Sequence, residues 1–147
     1  MMQISIEDKP RAEDCDFVRD RLYEHNAAIV GPDNYAPLAI FVRDDTGSIR
    51  GGLLGETFWQ WLHISIVWVN ESDRGQGLGT RLLALAEEEG IKRGCISAFL
   101  DSLSFQAPDF YLKRGYEIWG ELKDLPVGHR RIFFQKKLVP SEDRQQV

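Results

Sequence analysis

The chain of 147 residues has little of what a metal or redox centre would need. Its two cysteines, Cys15 and Cys95, form no CxxC pair, and its three histidines, His25, His63 and His129, are scattered. That inventory supplies neither a zinc-ligand spacing nor a disulfide framework, so no metal and no disulfide are expected. No stretch approaches the roughly 20 apolar residues a membrane helix requires. The opening MMQISIEDKP lacks the basic start and apolar run of a secretory signal, which makes a cytoplasmic protein with no membrane partner the expectation. Positive charge is short as well: 18 Lys and Arg stand against 23 Asp and Glu, for a net charge of −5. A nucleic-acid partner, which favours a basic surface, is therefore not expected. A cationic substrate is compatible with that balance.

What is present is the composition of a globular protein, 43% hydrophobic and 28% charged. Its size suits one domain with a substantial core. We expect a single domain over residues 1–139, with residues 140–147 as a frayed polar tail. Ile4 and Ile6 alternate with polar neighbours and predict a short strand over residues 2–6. Cys15, Val18 and Leu22 fall at helical spacing and predict a helix over residues 12–26. After the turn chemistry of GPDNYAP come two apolar runs, residues 38–43 and 49–59, joined by DDTGS, the pattern of a hairpin. Gly51, Gly52 and Gly55 in the second run suggest a bulge or a close backbone neighbour.

A strand over residues 61–69 should place Leu62, Ile64, Ile66 and Trp68 on one face. A helix follows over residues 77–89, with Leu78, Leu82, Leu85 and Ala86 as its stripe, ended by Gly90 or Gly94. Then come a strand over 95–100, a short helix over 106–114 stopped by Gly115, and strands over 116–122 and 131–138. Trp59, Trp61 and Trp68 either line a substrate pocket or fill the core, and the core is the expectation. The order is β-α-β-β-β-α-β-α-β-β, in which the strand–helix–strand segment from Trp61 to Leu100 requires a parallel crossover while the hairpins require antiparallel pairing. The fold class is therefore α/β, or α+β, built on one mixed sheet with helices covering it.

The most unusual local chemistry is SDRGQGLGT, where Gly75, Gly77 and Gly79 alternate immediately before good helix formers. Glycine lets backbone amides approach a ligand closely, and a helix N-terminus offers unpaired N–H donors with a positive dipole end. That combination suits phosphate, with Arg74 as an adjacent cation. A Walker A loop would need a lysine between Gly79 and Thr80, and there is none. The dinucleotide pattern GxGxxG fails at Thr80, which stands where the third glycine should be.

The run Arg74-Gly75-Gln76-Gly77-Leu78-Gly79-Thr80 resembles the acyl-CoA pyrophosphate loop of the GNAT superfamily of N-acyltransferases, Q/R-x-x-G-x-G/A. One strand later, Ala107 to Tyr116 is similar to that superfamily's A-x-x-F/L-Y-x-x-x-G-F/Y segment. The resemblance extends over nearly the whole element order. It departs at Glu71, where the family often has proline, and at Ser104, where it has an asparagine that contacts coenzyme A.

The resemblance implies a central, mostly antiparallel sheet flanked by helices, and acetyl transfer from acetyl-CoA to a primary amine of a small molecule or protein by direct attack. It implies that amides of Gln76, Gly77, Gly79 and Thr80 face the pyrophosphate, with Gly75 in the loop and Arg74 nearby. Backbone groups of Val67 and Val69 would hold the pantetheine, at a bulge that parts this strand from its neighbour, and an N–H near Val67 would polarise the thioester carbonyl. Ser102, at the end of the next strand, and Ser104 are further candidate contacts. Tyr111 would act as general acid toward the CoA thiolate. The general base is open among His63, Glu71, Asp101 and a water chain, with His63 placed first as the side chain type that changes charge near neutral pH. An acyl-CoA sensor without turnover is the alternative. Exposed sheet edges permit a homodimer.

Overall fold

The computed structural model describes residues 1–139; the tail expected at residues 140–147 lies outside the described residues. Two compact units are present, Met1–Asp33 and the chain from Asn34 onward.

The first unit is one helix, α1 (Ala12–Val30), preceded by irregular chain. The strand expected over residues 2–6 does not form. Its alternation is real, but this unit holds no second strand to supply a ladder. α1 runs one turn beyond the expected end at Asn26, because Ala27 and Ala28 favour helix and nothing stops it before Gly31. There φ turns to +87°, and the Gly31 N–H closes the helix on the Ala27 carbonyl at 2.9 Å. Arg11–Asp14, Arg19–Asp16 and Arg21–Glu24 pair along its solvated surface.

The second unit is a six-stranded sheet. β1 (Ala36–Arg43), β2 (Ile49–Phe58) and β3 (Trp61–Val69) form a meander. α2 (Leu78–Lys92) crosses over to β4 (Ser97–Leu103); α3 (Pro108–Lys113), β5 (Glu117–Lys123) and β6 (Arg130–Lys137) follow. The spatial order is β1-β2-β3-β4-β6-β5. Every neighbouring pair is antiparallel except β3 with β4, the pair joined by α2. This is the mixed sheet expected from the element order, and it is mostly antiparallel, as the family resemblance implies.

One sheet face carries the core. Leu53, Leu62, Ile64, Ala98, Leu100, Ile132 and Phe134 pack there with Leu82, Leu83 and Ala86 of α2 and Tyr111 of α3. The buried stripe of α2 is rotated from the expected one: Leu83 lies inside, while Leu85 is 47% exposed. Gly90 does not end α2. It lies within the helix, where the place of its missing side chain is filled by Leu62 and Leu138, and the chain turns at Gly94 instead.

The three tryptophans are not core residues. Trp59 and Gln60 form the two-residue β2–β3 turn, both at positive φ, so Trp59 stands at a hairpin tip. Trp61 is half-buried and Trp68 is 46% exposed. The face assignment of β3 fails at one point. Gly55 pairs with Ile64 and Leu54 with Ile66, so Ser65 is bulged out of the ladder. An extra residue inverts the alternation beyond it. Val67 and Val69 therefore pack against the core, while Ile66 and Trp68 face away from it.

Candidate active site

The bulge at Ser65 lies where β3 parts from β4. The parallel ladder joins Trp61–Ile64 to Ser97–Leu100 and ends there. Beyond it, residues 66–69 keep their pairing with β2, and residues 101–103 keep theirs with β6. The two strands thus diverge, leaving the facing edges of Ile66 to Val69 and of Asp101 to Leu103 without a ladder partner. A cleft of about 820 Å³ opens between them and is closed by α2 and α3. Glycine permits the bulge: a Cβ on Gly55 would overlap the His63 carbonyl oxygen.

The loop leading from β3 to α2 is tied down at its base. The Arg50 guanidinium on β2 donates to Asp73 at 2.7 Å and to the Ser72 hydroxyl at 2.9 Å. The Asn70 amide donates to Ser72 at 2.7 Å. Gly75 and Gly77 then take φ of +82° and +79°, a region unfavourable to any residue with a Cβ. Gly77 is the N-cap of α2 with no capping side chain. The N–H groups of the first helical turn are consequently left to a ligand or solvent. Gly79 serves a different purpose: a Cβ there would meet the Phe110 ring at 3.4 Å, so its smallness sets how closely α2 approaches α3.

Two guanidinium groups flank this helix end. Arg74 donates to the Val69 carbonyl at 3.0 Å. Arg114, at the end of α3, donates to the Thr80 hydroxyl and to the Phe110 carbonyl, and lies 4.2 Å over the Phe110 ring. Neither has a carboxylate partner among the described residues. Two unpaired cations at the positive end of a helix dipole repel each other, and a multiply charged anion relieves the repulsion. Arg114 was not singled out from the sequence, because it occupies a variable position of the A-x-x-F-Y-x-x-x-G-Y segment. Its signal is structural.

Tyr111 lines the same cleft from α3. Its ring is 9% exposed, held by Phe110, Tyr116 and Phe134 at centroid distances of 5.1, 5.9 and 5.5 Å. Its hydroxyl has no hydrogen-bond partner among the described residues. Burial pushes its pKa above the ordinary phenol value, which keeps the proton on the oxygen.

The structure brings Val67, Val69, Arg74, Gly75, Gly77, Gly79, Thr80, Ser102 and Tyr111 to this one cleft. Ser102 is buried there and donates to the Gln106 side-chain oxygen at 3.3 Å. Gln76 is exposed and does not line the cleft. Ser104 is directed elsewhere: its hydroxyl accepts from the Arg130 N–H at 2.9 Å and its own N–H donates to the Arg130 carbonyl at 2.8 Å. Its side chain braces the start of β6. Of the candidate bases, Glu71 sits in an exposed 3-10 turn, Glu71–Asp73, and Asp101 borders the cleft but pairs with Arg131 at 3.3 Å. His63 is one residue from the cleft-lining Ile64, on the sheet face away from α2, with Nδ1 2.9 Å from Glu56.

Comparison with known proteins agrees with this architecture. The profile of the Acetyltransferase (GNAT) family matches residues 1–116. The chain is 41% identical, over 68% of its length and 74% of the relative's, to the blasticidin-S acetyltransferase of Streptomyces morookaense. It is 33% identical to an acetyltransferase of Bacillus cereus solved by crystallography, with a TM-score of 0.82 over 91% of this chain and 98% of that one. A Bacillus anthracis structure solved with acetyl coenzyme A shares the fold at 21% identity, with a TM-score of 0.62 over 78% of this chain and 68% of that one. The split sheet, the uncapped glycine-led helix and these matches lead to one assignment: the chain belongs to the GNAT acetyltransferase family.

Proposed function

We propose that the chain transfers an acetyl group from acetyl-CoA to the primary amine of a small molecule. The observation that carries this reading is the cleft itself, where diverging strands expose backbone groups and lead to an uncapped helix N-terminus flanked by two arginines that have no carboxylate partner among the described residues. Those residues fit the donor. The first-turn amides of α2, with Arg74 and Arg114, would take the pyrophosphate, and the free edge of β3 at Val67 and Val69 would take the amide-rich arm. Ser102 faces the same space. Acetyl-CoA supplies the thioester.

The remaining chemistry falls to side chains and amides of this protein. An N–H on the unpaired edge near Val67 would stabilise charge developing on the carbonyl oxygen. Tyr111 holds a proton in an apolar setting, with no hydrogen-bond acceptor for it among the described residues, and would give it to the departing sulfur. His63 is the base in this reading, reached from the opposite sheet face. The blasticidin-S relative favours a small-molecule amine over a protein amine as acceptor. The same reading makes the protein a cytoplasmic homodimer that uses no metal and binds neither nucleic acid nor membrane.

The test is thiol release from acetyl-CoA with a panel of amines, comparing the wild type with Tyr111→Phe. Turnover of at least one amine, reduced in the variant, supports the reading. Tight CoA binding with no turnover on any amine would make the protein an acyl-CoA sensor. Thermal protection by ATP or NAD but not by CoA would overturn both.

A further inference from the structure

Glu56 takes no part in the reading above, yet it is the residue that holds the proposed base. The β2–β3 register sets Glu56 directly opposite His63. Its Oε1 is 2.9 Å from His63 Nδ1, and its Oε2 accepts from the Ser65 hydroxyl at 3.4 Å. No lysine or arginine pairs with this carboxylate among the described residues. On the other side, the parallel ladder sets Phe99 opposite His63, and the two rings stack at 4.6 Å and 19°. Both dyad side chains are about three-quarters buried, at 24% exposure each. The imidazole is therefore fixed twice, at Nδ1 by a carboxylate and across its plane by a phenyl ring. Nε2 has no hydrogen-bond partner among the described residues. The dyad sits one step before Ile64 and Leu100, the last paired residues before the strands part.

We propose that Glu56 is a positioning residue that holds His63 as the Nδ1–H tautomer, leaving the Nε2 lone pair to take the proton of the acceptor amine. This rests on the acetyl-transfer reading. The hydrogen bond made by one ring nitrogen decides which nitrogen carries the proton, and a carboxylate at Nδ1 also stabilises the imidazolium once formed. The amine nitrogen bonds to the acetyl carbon, the carbon–sulfur bond breaks, and its electron pair leaves on sulfur. The nitrogen's proton goes to His63 Nε2, and the Tyr111 hydroxyl protonates the sulfur. The imidazolium proton then returns to the Tyr111 oxygen through solvent, which resets both groups.

Nitrogen-15 NMR of the full chain, labelled at histidine, reads the tautomer without any turnover. Neutral His63 is expected as Nδ1–H in the wild type and as a mixture of both tautomers in Glu56→Ala, with CoA affinity unchanged. On an amine that the wild type acetylates, Glu56→Ala should lower kcat by about 10- to 100-fold while KM moves less than about twofold. Combining it with His63→Gln should cost no more than His63→Gln alone, because the two act as one unit. Wild-type His63 found as Nε2–H, or a Glu56→Ala variant with unchanged kcat, overturns the dyad. CoA binding without turnover of any amine by the wild type overturns the acetyl-transfer reading and the base role with it.

Discussion

Gly55→Ala tests the link between the bulge and the cleft. The added methyl group would overlap the main-chain carbonyl oxygen of His63, with the His63 carbonyl carbon and the Ile64 Cα each at 3.3 Å. These are backbone atoms, so no rotamer change relieves the overlap; β2 and β3 must move apart or the bulge must shift. Overpacking of this kind costs about 1–3 kcal/mol, and with no flexible neighbour the upper figure applies. A loss of about 3 kcal/mol lowers Tm by roughly 6–12 °C in a chain of this size. The same movement alters where β3 leaves β4, so CoA affinity should fall together with stability. Gly120→Ala is the matched control, because it also lies in a strand, at ordinary φ, and a Cβ there meets nothing within 4 Å. It should be neutral, or stabilising by about 0.4–1 kcal/mol through the unfolded chain. Thermal unfolding followed by circular dichroism, with calorimetric titration of CoA, reads both effects. A Gly55→Ala protein that melts with the wild type, or a Gly120→Ala protein that falls as far, refutes the argument.

Tyr111→Phe removes a hydroxyl that has no hydrogen-bond partner among the described residues, so Tm should move by less than about 2 °C, while kcat falls about 10- to 100-fold on any accepted amine. Equal losses of stability and rate would mean that the ring is only packing. Arg74→Ala and Arg114→Ala should each weaken CoA binding by about tenfold, with the loss shrinking at high salt because fewer charges remain to be screened. Unchanged affinity in both would remove the anion role from that end of the cleft. Burial raises the pKa of Tyr116, reinforced by the Glu87 charge and by the hydrogen bond to it, and burial raises that of Tyr111. A folded pKa above the unfolded value gives stability that is full below about pH 10 and declines as pH rises further. Denaturant midpoints should therefore fall on the alkaline side, less steeply in Tyr116→Phe; a flat profile there would count against the burial argument.

Much of the fold was legible because its signals are local. LHISIVWV carries its strand in β-branched residues, the helix after Gly77 carries its period, and the strand–helix–strand segment from Trp61 to Leu100 predicts the parallel pairing of β3 with β4. The glycines before α2 and Tyr111 were legible as a pattern, and the structure places them around one cleft. What escaped depends on partners distant in sequence. Residues 2–6 alternate like a strand but have no ladder partner in their own unit. The bulge leaves no mark on the period-2 pattern of β3, since Ile66 and Val67 are both apolar and either could face inward. Its trace is on the neighbouring strand, at Gly55, the position where only a missing side chain accommodates the His63 carbonyl. The Glu56–His63 pair was hidden for a related reason. Two residues seven apart meet only if the turn between them has a definite length, and that length is set by Trp59 and Gln60, neither of which is a usual residue at positive φ. A hairpin centred one residue later would bring a different residue opposite His63 and turn Glu56 to another neighbour. The catalytic reading of His63 thus depends on register more than on residue type, which is why a lone histidine on a strand carried so little information until its cross-strand partner was known.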